Sequence, residues 1–320
     1  MGEGSRLGWL RALMGMAGAL LLSWGAPSAQ AQAPGPEVCK ACHADYVATF
    51  EASIHGKKGH PGVPANAGGC AVCHGDGTEH VKAGGGRGVG GIRNLGSKKL
   101  PAEEKSAVCL ACHADNRHLA FWESGRHRKN EVSCSSCHNP HGGNDALLRI
   151  DNPSISPLSR TSRVPQQDLC FTCHRDIRAQ VLRPSHHPIQ EGKIKCSSCH
   201  NPHGALSPMM LHHETVNQQC TSCHADKRGP YMFEHPPVEE NCLTCHNPHG
   251  SRSVKLLREK VPNLCQDCHD ASSHPGTAYD PPDSFQGVPN TRFVARSCLN
   301  CHNEVHGSNA PASRGRRFVR

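Results

Sequence analysis

Twenty cysteines and 25 histidines in 320 residues are the side chains best able to do chemistry in this chain. Every cysteine falls in a Cys-x-x-Cys-His unit, and ten such units use all twenty. They are Cys39, Cys42 and His43; Cys70, Cys73 and His74; Cys109, Cys112 and His113; Cys134, Cys137 and His138; Cys170, Cys173 and His174. The second half continues with Cys196, Cys199 and His200; Cys220, Cys223 and His224; Cys242, Cys245 and His246; Cys265, Cys268 and His269; Cys298, Cys301 and His302. This spacing is the c-type haem attachment signature, in which two thiols add to the haem vinyl groups and the adjacent His reaches the iron from the proximal side. A disulfide framework or a set of zinc sites would not place every cysteine in this one pattern.

Fifteen histidines remain for the other axial position: His55, His60, His80, His118, His127, His141, His186, His187, His203, His212, His213, His235, His249, His274 and His306. Methionine cannot be the general sixth ligand, because three of the six lie near the N-terminus and leave only Met209, Met210 and Met232. Bis-His ligation throughout implies lower potentials than Met/His ligation.

An internal repeat selects among these histidines. The chain reads as five modules, each with a first CxxCH, an intervening His, a second CxxCH and a trailing His. Module 2 carries FWESGRH ending at His127, then CSSCHNPHG with His141; module 3 carries His187 and His203. Module 4 carries His235 and CLTCHNPHG with His249, and module 5 carries His274 and CLNCHNEVHG with His306. Module 1 is looser, with His55 and CAVCHGDGTEH ending at His80. Two per module supplies ten distal ligands for ten irons: His55, His80, His127, His141, His187, His203, His235, His249, His274 and His306. His55 and His127 each follow an aromatic, Phe50 or Trp122, by five residues. A following Pro restrains His187, His235 and His274 to extended backbone and favours His187 over His186. His60 also precedes Pro and stays a rival to His55. His212 and His213 fall where the next linker reads LREK, which points to a solvated polar face, and His118 reads as a surface residue.

The elements that hold these groups must be modest. Only 36% of residues are hydrophobic and 4% aromatic, against 32 Gly and 24 Pro. Side chains alone cannot fill a core for this length, so the macrocycles take its place. Motifs recur every 22 to 39 residues, enough chain to wrap one macrocycle and reach the next. The expected fold is a multihaem cytochrome c: short α-helices and irregular chain around a linear haem array, elongated, with little or no β-structure. The boundaries read as a signal peptide over 1–31, di-haem modules over 32–105, 106–145, 146–206 and 207–252, and a fifth module with a basic tail over 253–320. GGGRGVGG at 84–91 lacks the residues of a phosphate cradle and reads as a flexible loop.

At the N-terminus Arg6 and Arg11 precede an apolar run from Leu13 to Leu22, and Ala29-Gln30-Ala31 fits a small-x-small cleavage site. This predicts a secretory signal peptide, since the run is too short for a membrane span. The formal charge of +8 omits two propionates per haem, roughly −20 for ten. A nucleic-acid site is therefore not expected, and the basic tail from Arg314 to Arg320 reads as propionate partners or a solvated segment.

Ten CxxCH motifs behind a signal sequence, with repeated CSSCHNPHG blocks, resemble the MtrA/DmsE family of periplasmic decahaem cytochromes over essentially the whole mature chain. The resemblance implies a rod of bis-His haems inserted in an outer-membrane β-barrel of the MtrB type. It also implies electron exchange with periplasmic or inner-membrane carriers and with an extracellular cytochrome, reductase or mineral, in extracellular respiration or iron oxidation. The Gly-rich insert of module 1 and the NEVH of module 5 depart from the pattern. A multihaem reductase or oxidase is the alternative. It needs an iron with an open position, whereas no CxxCK variant occurs and the histidines suffice for every iron. A conduit rather than an enzyme is the expectation.

Overall fold

The computed structural model describes residues 33–142, 165–269 and 298–319. The signal-peptide reading over 1–31 and the expected ligand His274 lie outside these residues. Among the described residues there are short helices, 3-10 turns and irregular chain, with isolated bridges in place of strands. That is the fold class expected from composition. No helix among them is long and apolar enough to cross a membrane.

The two attachment motifs of a module sit on different local structures. The first is carried by a helix with its own start signals. Pro36–Ala52 opens on Pro with Glu37 in the first turn, and Ala102–His113 opens with Glu103 and Glu104; carboxylates there complement the N-terminal dipole. Val216–Thr221 is capped reciprocally by Thr215 and Gln218, a capping box that satisfies two otherwise orphaned N–H groups. Shorter helices, Pro165–Phe171 and Asn263–Gln266, serve the remaining first motifs. The second motif needs only a turn: Cys70–His74, Cys134–Cys137, and the 3-10 turns Cys196–Ser198, Cys242–Thr244 and Cys298–Asn300. On either scaffold, Cys at i and i+3 with His at i+4 share one face.

Successive modules are joined by a recurring contact. The segment two residues before an intervening His pairs with the segment two residues after the next module's trailing His. Ser185 and Ser251 exchange N–H···O bonds of 3.2 and 2.7 Å, and Phe233 and Ser308 do so at 3.0 and 2.9 Å. The glycine of NPHG lets the two backbones meet. Gly204 has φ +111°, and a Cβ there would strike the carbonyl of Phe121; Gly250, at φ +154°, would strike that of Gln180. These contacts join sequence neighbours, so the modules stack in one dimension.

The hydrocarbon core is as thin as composition predicts. Val47, Trp122, Leu169, Val181, Ile189 and Leu211 are the buried apolar residues among those described. None of the twenty cysteines forms a disulfide.

Candidate metal centres

Numbering the CxxCH sites 1 to 10 along the chain, the structure sets a second histidine ring opposite nine of the ten motif histidines. At sites 1 and 2, His43 faces His80 at 6.3 Å between ring centres, and His74 faces His141 at 6.0 Å. At sites 3 and 4, His113 faces His55 at 6.2 Å, and His138 faces His203 at 5.9 Å. His174 faces His127 at 6.2 Å and His200 faces His249 at 6.0 Å, at sites 5 and 6. Sites 7, 8 and 9 pair His224 with His187 at 6.2 Å, His246 with His306 at 6.2 Å, and His269 with His235 at 6.1 Å. The motif His of site 10 is His302; the expected distal ligand His274 lies outside the described residues.

The separation hardly varies, yet the angle between ring planes runs from 13° to 67°. Rings in direct contact change their spacing with their tilt. Rings on one shared axis turn about it without moving apart. Two imidazoles bound through Nε2 at about 2.0–2.1 Å to one metal, with each ring centre about 1.1 Å behind its nitrogen, stand about 6.2 Å apart. The paired rings therefore fit the two axial ligands of a single iron. Each pair brings two ligands, and among the described residues no cluster of three or more His, Cys, Asp or Glu forms a cage of the zinc type. These pairs would hold a haem between them, and the two adjacent thiols would tether it. Trp122 Nε1 is buried without a protein acceptor and is a donor of the kind that a propionate satisfies.

The other ring nitrogen is held by backbone. Four intervening histidines donate Nδ1–H to the carbonyl just before the next module's trailing His. His55 donates to Pro140 at 3.2 Å, His127 to Pro202 at 2.8 Å, His187 to Pro248 at 2.6 Å and His235 to Val305 at 3.1 Å. Second-motif histidines donate to a loop that returns past the motif: His74 to Arg93 at 2.9 Å, His200 to Met209 at 2.9 Å and His246 to Lys255 at 2.9 Å. His80 donates to Val89 at 3.1 Å. Such bonds fix the tautomer, leave Nε2 free for metal and raise the basicity of the ligand. Burial pushes His141, His203, His235, His249 and His306 below the ordinary histidine range, which keeps them neutral and their lone pairs available.

Neighbouring sites touch in chain order. Within each module the first thiols of the two motifs lie side by side: Cys39 with Cys70, Cys109 with Cys134, Cys170 with Cys196, Cys220 with Cys242 and Cys265 with Cys298. Across module boundaries Cys73 lies near Cys112, Cys137 near Cys170, Cys199 near Cys223 and Cys245 near Cys268. Tyr46 stands between sites 1 and 2, its ring 6.3 Å from His43 and 5.7 Å from His141.

The rival histidines are employed elsewhere or exposed. His186 has both ring nitrogens engaged, Nδ1 with the Arg183 carbonyl at 2.5 Å and Nε2 with Glu191 at 3.1 Å. His212 Nε2 donates to Ser197 at 2.8 Å. His60, His118 and His213 are exposed. One sequence expectation changes. The Gly-rich stretch over 84–91, read as a flexible loop, packs on the helix Thr78–Lys82; Gly90 at φ +70° has no room for a Cβ against His80. What the residue pattern did not reveal is the set of carbonyl acceptors, because a backbone carbonyl has no side-chain signature. The one trace of them was the repeated Pro of NPHG.

Family comparison agrees with this geometry. A model described as "Doubled CXXCH motif" matches residues 186–229 and 235–274, and one described as "Cytochrome c-type protein NrfB-like" matches residues 70–159. The chain is 35% identical over 285 residues to the multiheme cytochrome MtrA of Shewanella baltica (strain OS185), spanning 88% of this chain and 80% of that protein. With CxxCH motifs that bind c-type haem and histidine pairs spaced for axial ligation, the chain belongs to the MtrA family of multihaem c-type cytochromes, proteins of electron transfer.

Proposed function

We propose that the chain carries ten c-type haems, each tethered by the two cysteines of one motif and held between the motif histidine and one of the ten distal histidines named above. It works as an exported, periplasmic electron conduit that crosses the outer membrane inside a porin-like barrel of the MtrB type. It exchanges electrons with periplasmic or inner-membrane carriers on one side and an extracellular cytochrome, reductase or mineral on the other. Bound haem supplies a one-electron ferric/ferrous couple.

One observation carries this reading above the reductase alternative: nine motif histidines each face a second ring at 5.9 to 6.3 Å. Each pair supplies both axial ligands, so at these nine sites no iron position is reserved for substrate. The Nδ1 bonds hold the rings in place, and the thiol contacts keep adjacent sites within one continuous series. The barrel and the direction across the membrane rest on the family resemblance.

The experiment is low-temperature EPR of the oxidised holoprotein, with haem stoichiometry on the same sample. Ten haems, all low-spin, are expected. A high-spin iron that responds to nitrite or a similar small ligand would replace the conduit by an enzyme fed by the remaining haems. Reconstitution with the barrel in liposomes tests the membrane arm, which fails if no electrons cross.

A further inference from the structure

The C-terminal residues look, by composition, like a charged tail. Their backbone does something more specific. At sites 6 and 8 the returning loop has one design: the motif His donates Nδ1–H to a carbonyl, and the next residue, with φ near +55°, turns its own carbonyl onto the chain just after the motif. His200 meets Met209, Met210 has φ +52°, and Asn201 N–H donates to Met210 at 2.7 Å. His246 meets Lys255, Leu256 has φ +60°, and Asn247 N–H donates to Leu256 at 2.8 Å. At the C-terminus His302 Nδ1 donates to Arg317 at 2.5 Å, Phe318 has φ +56°, and Glu304 N–H donates to Phe318 at 3.0 Å. The loop is nine residues long in the first two cases and fifteen in the third, so sequence alignment of the modules hides the match.

We infer that residues 314–319 are the positioning segment of site 10 and that Phe318 extends the same service to site 9. The Phe318 ring lies 5.2 Å from that of His235, the second ring of site 9. The segment is itself held. Phe318 N–H donates to Gly315 at 2.9 Å and Val319 N–H to Arg314 at 3.0 Å. Gly315 is buried against the Phe233 ring, where a Cβ would clash. Arg314, Arg316 and Arg317, by contrast, are exposed. The backbone and one aromatic ring carry the role, and the guanidinium groups do not. A left-handed φ at a residue with a Cβ is strained and persists only where its surroundings enforce it; its recurrence in three loops marks a required geometry.

The carbonyl bond raises the basicity of the His302 imidazole, which favours the ferric state. Losing it should move the ferric/ferrous equilibrium of that site about tenfold toward ferrous, about 59 mV upward for a one-electron couple. The inference rests on the haem ligation proposed above, so wild-type haem count and EPR are recorded first; fewer than ten low-spin irons would sink that reading whatever the tail does. Full-length holoprotein is then compared with a deletion of residues 314–320, with Arg314→Gln/Arg316→Gln/Arg317→Gln, and with Phe318→Gly. Spectroelectrochemical titration and EPR are the readouts. The deletion should shift one component upward by about that tenfold and perturb a second. The triple Gln variant should match wild type, since its carbonyls remain. Phe318→Gly suits the positive φ and removes only the ring, so it should alter the site 9 signal and leave site 10 unmoved; Phe318→Leu should restore part of the site 9 signal. The inference is overturned if the triple Gln variant shifts potentials as much as the deletion does. Unchanged potentials in the deletion overturn it too. Should the deletion fail to assemble, Phe318→Gly decides alone for the ring contact and Phe318→Val, which disfavours the left-handed turn, for the carbonyl.

Discussion

The N-terminal end and the interior of the array solve one problem differently. Site 1 closes on itself: His43 faces His80 of its own module, and His80 is held by Val89 of the same module's Gly-rich loop. Sites 2 to 9 each take their second ring from a neighbouring module. Each intervening His reaches forward to the next module's first site, as His187 reaches His224. Each trailing His from module 2 onward reaches back to the preceding module's second site, as His249 reaches His200. The trailing His of module 1 instead faces that module's own first site. The facing rings are thus also the cross-links of the stack.

The largest test of this contrast is to remove a ring and see which module responds. His187→Ala should leave site 7 high-spin, one module beyond the substitution, with about one tenth of the low-spin EPR signal lost. His80→Ala should instead expose site 1, in its own module, and His186→Ala should change neither. A high-spin signal from site 5 or 6 in His187→Ala would break the forward rule.

Next in size are the glycines at the module contacts. Gly204→Ala combines a positive φ with a clash on the Phe121 carbonyl and should destabilise the holoprotein by roughly 2–4 kcal/mol. Gly75→Ala, directly after the second motif of module 1 and away from any module contact, keeps the positive φ but meets only Arg93 Nε at 3.9 Å, so about 1 kcal/mol is expected. Thermal or denaturant unfolding of the two variants measures the difference, and equal losses would deny the interior its tighter joint.

Acid should loosen the stack at the sites whose second ring is buried. Burial lowers His141, His203, His249 and His306, so below about 6.5 the unfolded chain binds more protons than the folded one. Stability is therefore full above that value and falls as pH drops toward the folded values; metal ligation, which needs neutral imidazole, acts in the same direction. Denaturation midpoints at pH 5 should lie below those at pH 7.5, with sites 2, 4, 6, 8 and 9 losing low-spin signal as the pH falls.

The smallest effect is expected where a side chain changes but its carbonyl stays. Val305→Ala keeps the acceptor for His235 and should leave the site 9 potential unmoved, at a stability loss of about 1 kcal/mol or less. A shifted potential would mean that the Val305 side chain, and not its backbone, orients the ring.

Much of this was legible in residue types. The attachment residues follow from the spacing of the cysteines, and the choice of nine distal histidines follows from their recurrence once per half-module. Pro after His187 and His235 separated them from their neighbours, and the structure gives the passed-over His186 and His212 other partners. NEVH in module 5, one residue longer than NPH, still brings His306 opposite His246 at 6.2 Å, since the turn absorbs the extra residue. The tail was read by its charges and is explained by its backbone.

The sequence by itself determined which atoms bind: thioether and imidazole chemistry resides in side chains, and a covalent motif is local by nature. Only the tertiary structure decided which ring faces which. His55 and His113, 58 positions apart, meet because Gly142 and Pro140 bring the second module's backbone onto the end of the first helix, where a Cβ on Gly142 would press on Ser53 at 3.2 Å. Those contacts are made by carbonyls, glycine φ angles and the order of stacking, which every residue type or none can supply, and so they leave almost no mark in the order of the letters.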